Sequence, residues 1–515
     1  MNSLFRRKSI ADYESDIVER SGLRRSLTKW HLTALGVGAT IGAGIFATTG
    51  TAIVGDAARP GAGPAIILSY LLTAVACGFA ALCYAEFASM VPVSGSAYTY
   101  AYASLGELVA WIIGWDLIIE YAVGNIGVAI GWSGHFRELI SHFGLTLPAW
   151  LATDYRSAFA AAAQVAQGAT DPSAQYLASA VAEAPRIFGV AFIANLPAFL
   201  VVSVITVVLV IGVRESANTN NAMVLLKIGV ILFFIAVGVF LIRPTNWTDP
   251  AQGGFAPNGL AGISAGAAII FFSYIGFDAV STAAEEAQNP ARDMPFGIIM
   301  SLAVCTVLYI ALSAVMTGMA PWRNLGTPEP MITALRYAEG PPALLNWSRF
   351  IISFGAVMAM GSVLLVFQLG QPRIFFSMAR DGLLPPFIAK VHPRFRTPYV
   401  GTILTGLFVA SFAAFANIAE VVDLTNIGTL FAFILVSAGV IVLRYVEPER
   451  HRPFRVPGAP LTPLISIVAC FYLMINLPGI TWKRFGLWLA AGLVLYFLYG
   501  IRHSRLGRRE AQRAG

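Results

Sequence analysis

The chain is 515 residues long, 57% of them hydrophobic and only 12% charged, with a mean hydropathy of +0.71, which is too apolar for a soluble globular protein and places it in a membrane. The formal net charge of +7 does not indicate nucleic acid, because the basic residues gather on alternate loops instead of one face. The four cysteines, Cys77, Cys83, Cys305 and Cys470, fall in apolar runs without CxxC spacing, so they are read as packing residues and not as a metal site or disulfide framework.

Twelve apolar runs recur along the chain, each near the roughly 20 residues that cross a hydrocarbon core about 30 Å thick. Residues 1–31 are charged and polar, and are read as a cytoplasmic segment, mobile or lying at the membrane interface, with no removable signal peptide. The first span, about Thr33 to Val54, carries five glycines and is broken by Thr40, Ile41, Gly42, Ala43 and Gly44. Glycine inside a helix costs about 0.5–1 kcal/mol relative to alanine, so this run is expected either to unwind and offer bare amides to an anion such as a carboxylate, or to let a neighbouring helix approach closely.

Span 2, about Pro64 to Met90, contains Glu86 and leads into the turn Pro92, Val93, Ser94, Gly95, Ser96. Span 3, about Leu108 to Gly131, places Asp116 and Glu120 one helical turn apart and on one face. Ionisable groups at membrane depth normally face a bundle interior or a wet cavity; the alternative is that Asp116 caps or pairs near a helix end. From about 134 to 190 the chain is alanine-rich and is read as an irregular outside loop. Spans 4 and 5, about Val190 to Val213 and Ala222 to Ile242, are joined by a polar turn at Arg214 to Asn221, with Lys227 about a turn and a half into span 5.

Span 6 begins near Gly262 and carries Gly276 beside Asp278 in mid-run, so spans 1 and 6, five apart, are both interrupted. Span 7 follows Pro295, span 8 covers about Phe350 to Met378, and spans 9 and 10 about Tyr399 to Ala416 and Leu424 to Arg444. Residues 32–445 thus form a ten-helix core, 446–501 a basic loop with two trailing helices, about Leu461 to Leu477 and Phe485 to Ile501, and 502–515 a cytoplasmic tail. Lys and Arg concentrate in the leader, the loops after spans 8 and 10 and the tail, which puts both termini of this multi-pass chain on the cytoplasmic side of the cell (inner) membrane.

Interrupted spans at corresponding positions of two five-span halves point to an inverted-repeat secondary transporter with its substrate at the midplane. Irregular backbone at that depth is tolerable only where it lines a cavity. An α-amino acid fits such a pair, its carboxylate suiting helix-start amides and its ammonium suiting freed carbonyls. The six histidines, His31, His135, His142, His392, His451 and His503, are read as lying outside or at the ends of spans, and no HExxH or phosphate-loop motif is present. An enzyme is therefore not expected, nor a metal or cofactor. A sensor that binds without transporting is the remaining alternative.

GVGATIGAGIF in span 1, WDLIIEYAVG in span 3, FFSYIGFDAVSTAAEEAQNPARDMPFGI through span 6 and MARDGLLPPFIAKVHPRFRTP after span 8 together resemble the amino acid, polyamine and organocation transporter superfamily, and within it the bacterial type of the cationic amino acid transporter branch. The resemblance covers about Leu32 to Arg444 in consistent order. It implies an all-α membrane protein of the LeuT-type fold, two inverted five-helix repeats and two trailing helices, with helices 1 and 6 broken at mid-membrane.

The resemblance also implies roles for individual residues. Backbone amides around Ala43 and Gly44 would hold a substrate carboxylate, and the carbonyls of Thr40, Phe272 and Ile275 its ammonium. Phe272 would be an aromatic lid, Ser273 and Tyr274 would complete the unwound stretch, and Ile41, Gly42 and Met360 would border the substrate. Glu120 matches an acidic residue of span 3, and Lys227 matches a lysine that reaches the unwound part of span 1, where its ammonium would couple transport to protons. Two features depart from the pattern: many relatives carry a hydroxyl residue where this chain has Ala43, and animal members have two further spans. The expected activity is proton-coupled symport of L-amino acids, neutral side chains ahead of cationic ones, with exchange of amino acids or polyamines as the alternative.

Overall fold

Residues 3–8, 26–91, 96–168, 172–212 and 217–514 are described by a computed structural model. The chain is predominantly helical. Among the described residues, nine stretches are long and apolar enough to cross a membrane, and Leu196–Ile211, Tyr399–Phe415 and Leu461–Ile475 are shorter apolar helices. The turn around Pro92 to Gly95, the polar turn from Arg214 and much of the leader, including Arg20, Arg24 and Arg25, lie outside the described residues.

Helix α1 (Lys29–Thr40) starts at Thr28, whose hydroxyl caps His31 in a reciprocal box. It stops at Thr40, a π turn occupies Gly44–Thr48, and α2 (Thr49–Val54) follows. Next come α3 (Ile66–Met90), α4 (Ser96–Ser104) and α5 (Glu107–Ile118). A π turn at Ile119–Val123 joins α5 to α6 (Gly124–Ser141). Then follow α7 (Tyr155–Ala166), α8 (Pro172–Glu183), the strand pair β1 (Arg186–Ile187) and β2 (Val190–Ala191), α9 (Leu196–Ile211) and α10 (Ala217–Val239). Helix α11 (Gly259–Ile270) gives way to 3-10 turns at Phe271–Ser273 and Phe277–Glu286. The second half contains α12 (Pro290–Met319), α13 (Pro330–Tyr337), α14 (Pro342–Arg380), α15 (Tyr399–Phe415), α16 (Ile418–Val446), α17 (Leu461–Ile475), α18 (Gly479–Leu495) and α19 (Arg505–Ala514).

Several sequence expectations are corrected. The stretch from 134 to 190 is not irregular: α6 continues to Ser141, and α7, α8 and the strand pair build a small cluster around Ala149, Ala158, Ala180, Ala184 and Ile193. Hydropathy hid these helices because alanine is only weakly apolar and each is 12 residues long, too short to read as a span. Span 4 starts at Leu196, capped by Asn195, and not at Val190, which pairs in β2. Helix α12 starts at Pro290, where proline suits the first turn, and runs through Pro295, which stands inside the helix and forgoes the hydrogen bond its amide would have made to the preceding turn. The last trailing helix, α18, starts at Gly479 and not at about Phe485, so Lys483 and Arg484 lie within it. His135 is neither outside nor at the end of a span: it is fully buried in α6, its Nε2 3.1 Å from the Phe46 carbonyl oxygen.

Two ion-pair clusters tie distant elements at the helix ends that carry Met90 and Val446. Glu86, 1% exposed, accepts from Arg444 at 3.1 and 2.5 Å and from the Val456 amide at 2.7 Å. Lys8 pairs with Asp381 at 3.2 Å, Tyr98 donates to the same carboxylate at 2.8 Å, and the Glu107 amide donates to the Arg6 carbonyl at 2.8 Å. Residues 3–8 of the leader are therefore docked. Removing Arg444 leaves the buried Glu86 only the Arg452 guanidinium, at 3.4 Å, and a buried charge that loses its pair costs up to about 3–5 kcal/mol. Arg444→Ala is accordingly expected to lower the detergent-solubilised melting temperature well below that of Arg450→Ala, whose Glu447 partner is exposed; equal melting temperatures would remove this clasp from the stability account.

Candidate functional site

The two interrupted helices meet where each has lost its regular hydrogen bonding. Thr40 ends α1, Ile41 is extended at φ −74°, ψ 99°, and its amide still bonds back to Val37. The π turn beginning at Gly44 opens a new helical segment, so the amides at its start have no carbonyl of their own segment to reach. On the other chain segment, Tyr274 donates its amide to Phe271, Gly276 takes the left-handed φ of +118°, and the next helical turns begin at Phe277.

Glycine is required at both crossings. A Cβ on Gly44 would lie 2.3 Å from Ser273 Cα, and one on Gly276 would lie 2.8 Å from the Ala39 carbonyl carbon. The backbones therefore touch twice, Gly44 against Ser273 and Gly276 against the Ala39–Thr40 peptide. Thr40, Ile41, Gly42, Ala43, Gly44, Ser273, Tyr274 and Ile275 are all buried around this crossing. The Thr40 carbonyl accepts from Tyr309 Oη at 3.1 Å, a donor from α12 that sequence reading did not single out.

Phe272 and Met360 come to the same wall through α6. The space over Gly127 is bounded by Phe272 Cζ at 3.4 Å and Val421 at 3.3 Å, and that over Gly131 by Ala43 at 3.3 Å and Met360 Sδ at 3.4 Å. Gly42 abuts Val363 of α14. The wall is thus apolar, made by Ala43 and Ala47 of the first opened segment, Phe272 of the second, and α6, α14 and α16.

Glu120 stands seven residues before Gly127, about 10 Å along the helix, and so at a different level from Phe272. It lies in the π turn Ile119–Val123, a distortion frequent at functional positions. Its carboxyl faces those of Asp278 and Asp116 and the Thr429 hydroxyl. Oxygens of all three carboxyls, Glu120 Oε2, Asp278 Oδ2 and Asp116 Oδ1, lack a hydrogen-bond partner among the described residues. Asp116 is buried two residues before α5 passes into the π turn, inside the continuous span Glu107–Ser141. Asp278 was legible only as a neighbour of Gly276; its two-residue spacing lets Oδ1 accept the Gly276 amide at 3.3 Å.

Lys227 is the eleventh residue of α10, deeper than the turn and a half read from hydropathy, because α10 begins at Ala217. Only 1% exposed, it turns inward and its ammonium donates to the Gly38 carbonyl of α1. Cys305 lies beside it. All four cysteines are free and buried.

Close backbone crossing predicts a sharp asymmetry between glycines. Gly44→Ala should abolish ligand-induced thermal stabilisation, whereas Gly78→Ala, whose Cβ would meet nothing within 4 Å, should leave it unchanged; retained stabilisation in Gly44→Ala would separate the crossing from the ligand site.

Residues 27–498 match the family model described as amino acid permease. The chain is 44% identical over 506 residues to the branched-chain amino acid permease of Bacillus subtilis, an alignment spanning 98% of this chain and 99% of that protein. It is equally 44% identical, over 508 residues, to the methylthioribose transporter of the same organism, with 99% and 100% covered. Similarity to the vacuolar cationic amino acid transporter 4 of Arabidopsis thaliana is 37% over 455 residues, 87% of this chain and 68% of that protein.

Proposed function

The chain belongs to the amino acid permease family, a transporter family and not an enzyme family, and from that premise we propose that it carries L-amino acids across the cell membrane by proton-coupled alternating access. The observation that carries this reading is the double contact between opened backbones, Gly44 on Ser273 and Gly276 on Ala39–Thr40. It supports a layout of twelve spans in which two inverted five-helix repeats place their first helices across one another at mid-membrane, with both termini in the cytoplasm. Amides at Ala43 and Gly44 hold the substrate carboxylate, and carbonyls of Thr40, Phe272 and Ile275 hold its ammonium.

Substrate side chains are neutral and small to medium. The wall contributed by Ile41, Phe272 and Met360 is apolar, and the Glu120 carboxyl, which a cationic side chain would need, faces Asp278. The relative named for branched-chain amino acids agrees with this wall. The equally similar relative named for methylthioribose, a sugar without a carboxylate, marks the second reading, since it would leave the helix-start amides without an anion. Uptake of labelled isoleucine into proteoliposomes, competed by an amino acid panel and by methylthioribose, decides between them: competition by amino acids alone is expected, and competition by methylthioribose alone overturns the amino acid reading.

Lys227 is the coupling residue in this proposal. A lysine at membrane depth costs about 2.5–3.5 kcal/mol on insertion scales, and its ammonium is spent on Gly38, one turn before the opened backbone, and not on the interface. That position lets protonation bias the first interrupted helix. Close carboxyls without a basic partner are held together by a proton between them, so Glu120 and Asp278 form the alternative proton site. Lys227→Ala is expected to abolish isoleucine accumulation driven by an inward pH gradient while preserving ligand-induced thermal stabilisation. Unaltered gradient-driven accumulation would move coupling to Glu120 and Asp278; wild-type uptake only into preloaded vesicles would make the protein an exchanger.

A further inference from the structure

Helices α9 and α15 pack against each other with both pairs of ends level. At one end the Asn195 amide donates to the Ala414 carbonyl at 2.7 Å, and at the other Thr397 Oγ1 donates to the Val210 carbonyl at 2.8 Å. With 16 and 17 residues the two helices rise about 24 and 26 Å, short of a hydrocarbon core about 30 Å thick. Next to Val210 the adjoining loop bears Arg394 and Arg396, which belong in the headgroup layer. The missing length therefore falls at the opposite end, the one that the proposed orientation places outside. There the chain entering α9 is apolar and forms the ribbon of β1 and β2, with Arg186 opposite Ala191 and Ile187 opposite Val190.

The tip of this ribbon carries a side chain that its turn does not ask for. Phe188 and Gly189 stand at φ +51° and +83°, a left-handed pair that Asn or Asp before Gly supplies readily and a bulky residue does not. The Phe188 side chain is fully exposed, and Ile187 and Val190 beside it are more than half exposed. Their apolar surface runs on without a break: Phe192 meets Phe415 edge to face at 6.4 Å, and Phe415 continues into the exposed faces of α15, with Leu407 and Phe412, and of α9, with Leu200 and Val204. We infer that the ribbon is a membrane anchor whose Ile187, Phe188 and Val190 side chains enter the acyl chains of the outer leaflet and complete the apolar thickness that α9 and α15 leave short. A two-stranded ribbon keeps two open edges, so its backbone stays in the wet headgroup layer and only the side chains reach hydrocarbon. Arg186, exposed at the base, supplies a cation for lipid phosphate. The anchor holds the cluster of α7 and α8 against the bilayer, and that cluster grips the start of α16 through Asn417 Nδ2 donating to Ser157 Oγ at 3.1 Å. This goes beyond the transport reading and rests on the chain's place in a membrane, with the leaflet named from the proposed orientation.

The full-length protein in proteoliposomes tests it, with Val190→Cys carrying an environment-sensitive fluorophore on its thiol, the four native cysteines being buried. Ile187→Cys, on the facing strand, serves as the reporter if Val190→Cys does not fold. Phosphatidylcholine with a nitroxide on the acyl chain near the headgroup, present in both leaflets, is expected to quench the dye more than the same lipid with its nitroxide near the chain end, and iodide on both sides of the vesicle is expected to quench it weakly. The result does not depend on which way the chain is inserted. Strong iodide quenching without nitroxide quenching would put the tip in water, and protection from both quenchers would mean that protein covers it, as a second copy of the chain would; either overturns the anchor. Phe188→Asn suits the turn and is expected to keep the melting temperature in detergent while the reporter loses most of its nitroxide quenching and gains iodide quenching. Nitroxide quenching unchanged by Phe188→Asn would overturn the assignment of Phe188 as the inserted residue.

Discussion

Everything in this structure is arranged around two lengths of backbone that have given up their own hydrogen bonds far from water. A peptide group without a partner in a low-dielectric interior is costly, so such a stretch persists only where packing on all sides holds it. Here the packing is backbone on backbone: Gly44 rests on Ser273 and Gly276 on the Ala39–Thr40 peptide. Side-chain donors then stabilise the carbonyls left behind, Tyr309 on Thr40 and Lys227 on Gly38. Hydroxyls do the same within the segment, Thr40 on Gly36 and Thr48 on Gly44. What remains open is a short row of amides with no internal acceptor, which suits a carboxylate.

Charge is handled in two distinct ways. At the helix ends it is paired, often with full hydrogen bonding: Glu86 with Arg444, Arg59 with Asp423, Arg137 with Glu329 at 2.7 Å and Arg336 with Glu138 at 2.5 Å. Helix α16 is held in this way near both ends, by Asp423 to the loop after α2 and by Arg444 to Glu86 at the end of α3. Toward the middle the carboxyls of Asp116, Glu120 and Asp278 have no such partner among the described residues and keep orphaned oxygens. Pairing fixes helices relative to one another, whereas an unpaired ionisable group in a buried site is free to exchange a proton. The division therefore separates the paired residues that hold the bundle from the buried carboxyls that the proposed function keeps as its alternative proton site.

The membrane class, the apolar helices and the two glycine-bearing interruptions were legible in the sequence, because each is encoded locally. Run length reports membrane crossing, and glycine in an apolar run reports an opened or closely packed backbone. Three of the four motifs that carry the family resemblance lie in those same segments and the fourth in the loop after α14, which is why the transporter class followed. Local coding also explains the misses. Alanine-rich helices α7 and α8 are short and only weakly apolar, so they do not stand out as spans, and His135 looked peripheral because hydropathy ended the span at Gly131, whereas the helix continues to Ser141.

Which groups meet was decided by tertiary structure alone. Sequence showed Lys227 as a charge out of place, but only packing of α10 on α1 gave it the Gly38 carbonyl. Glu120 was visible as a carboxylate one turn from Asp116, yet its confrontation with Asp278 depends on α5, its π turn and the 3-10 segment after Gly276 coming together. Arg59 and Asp423 are 364 residues apart, and neither position has a local pattern that names the other. Periodicity and composition record whether a residue is buried; they carry no record of what it is buried against, because that choice belongs to the packing of helices far apart in the chain.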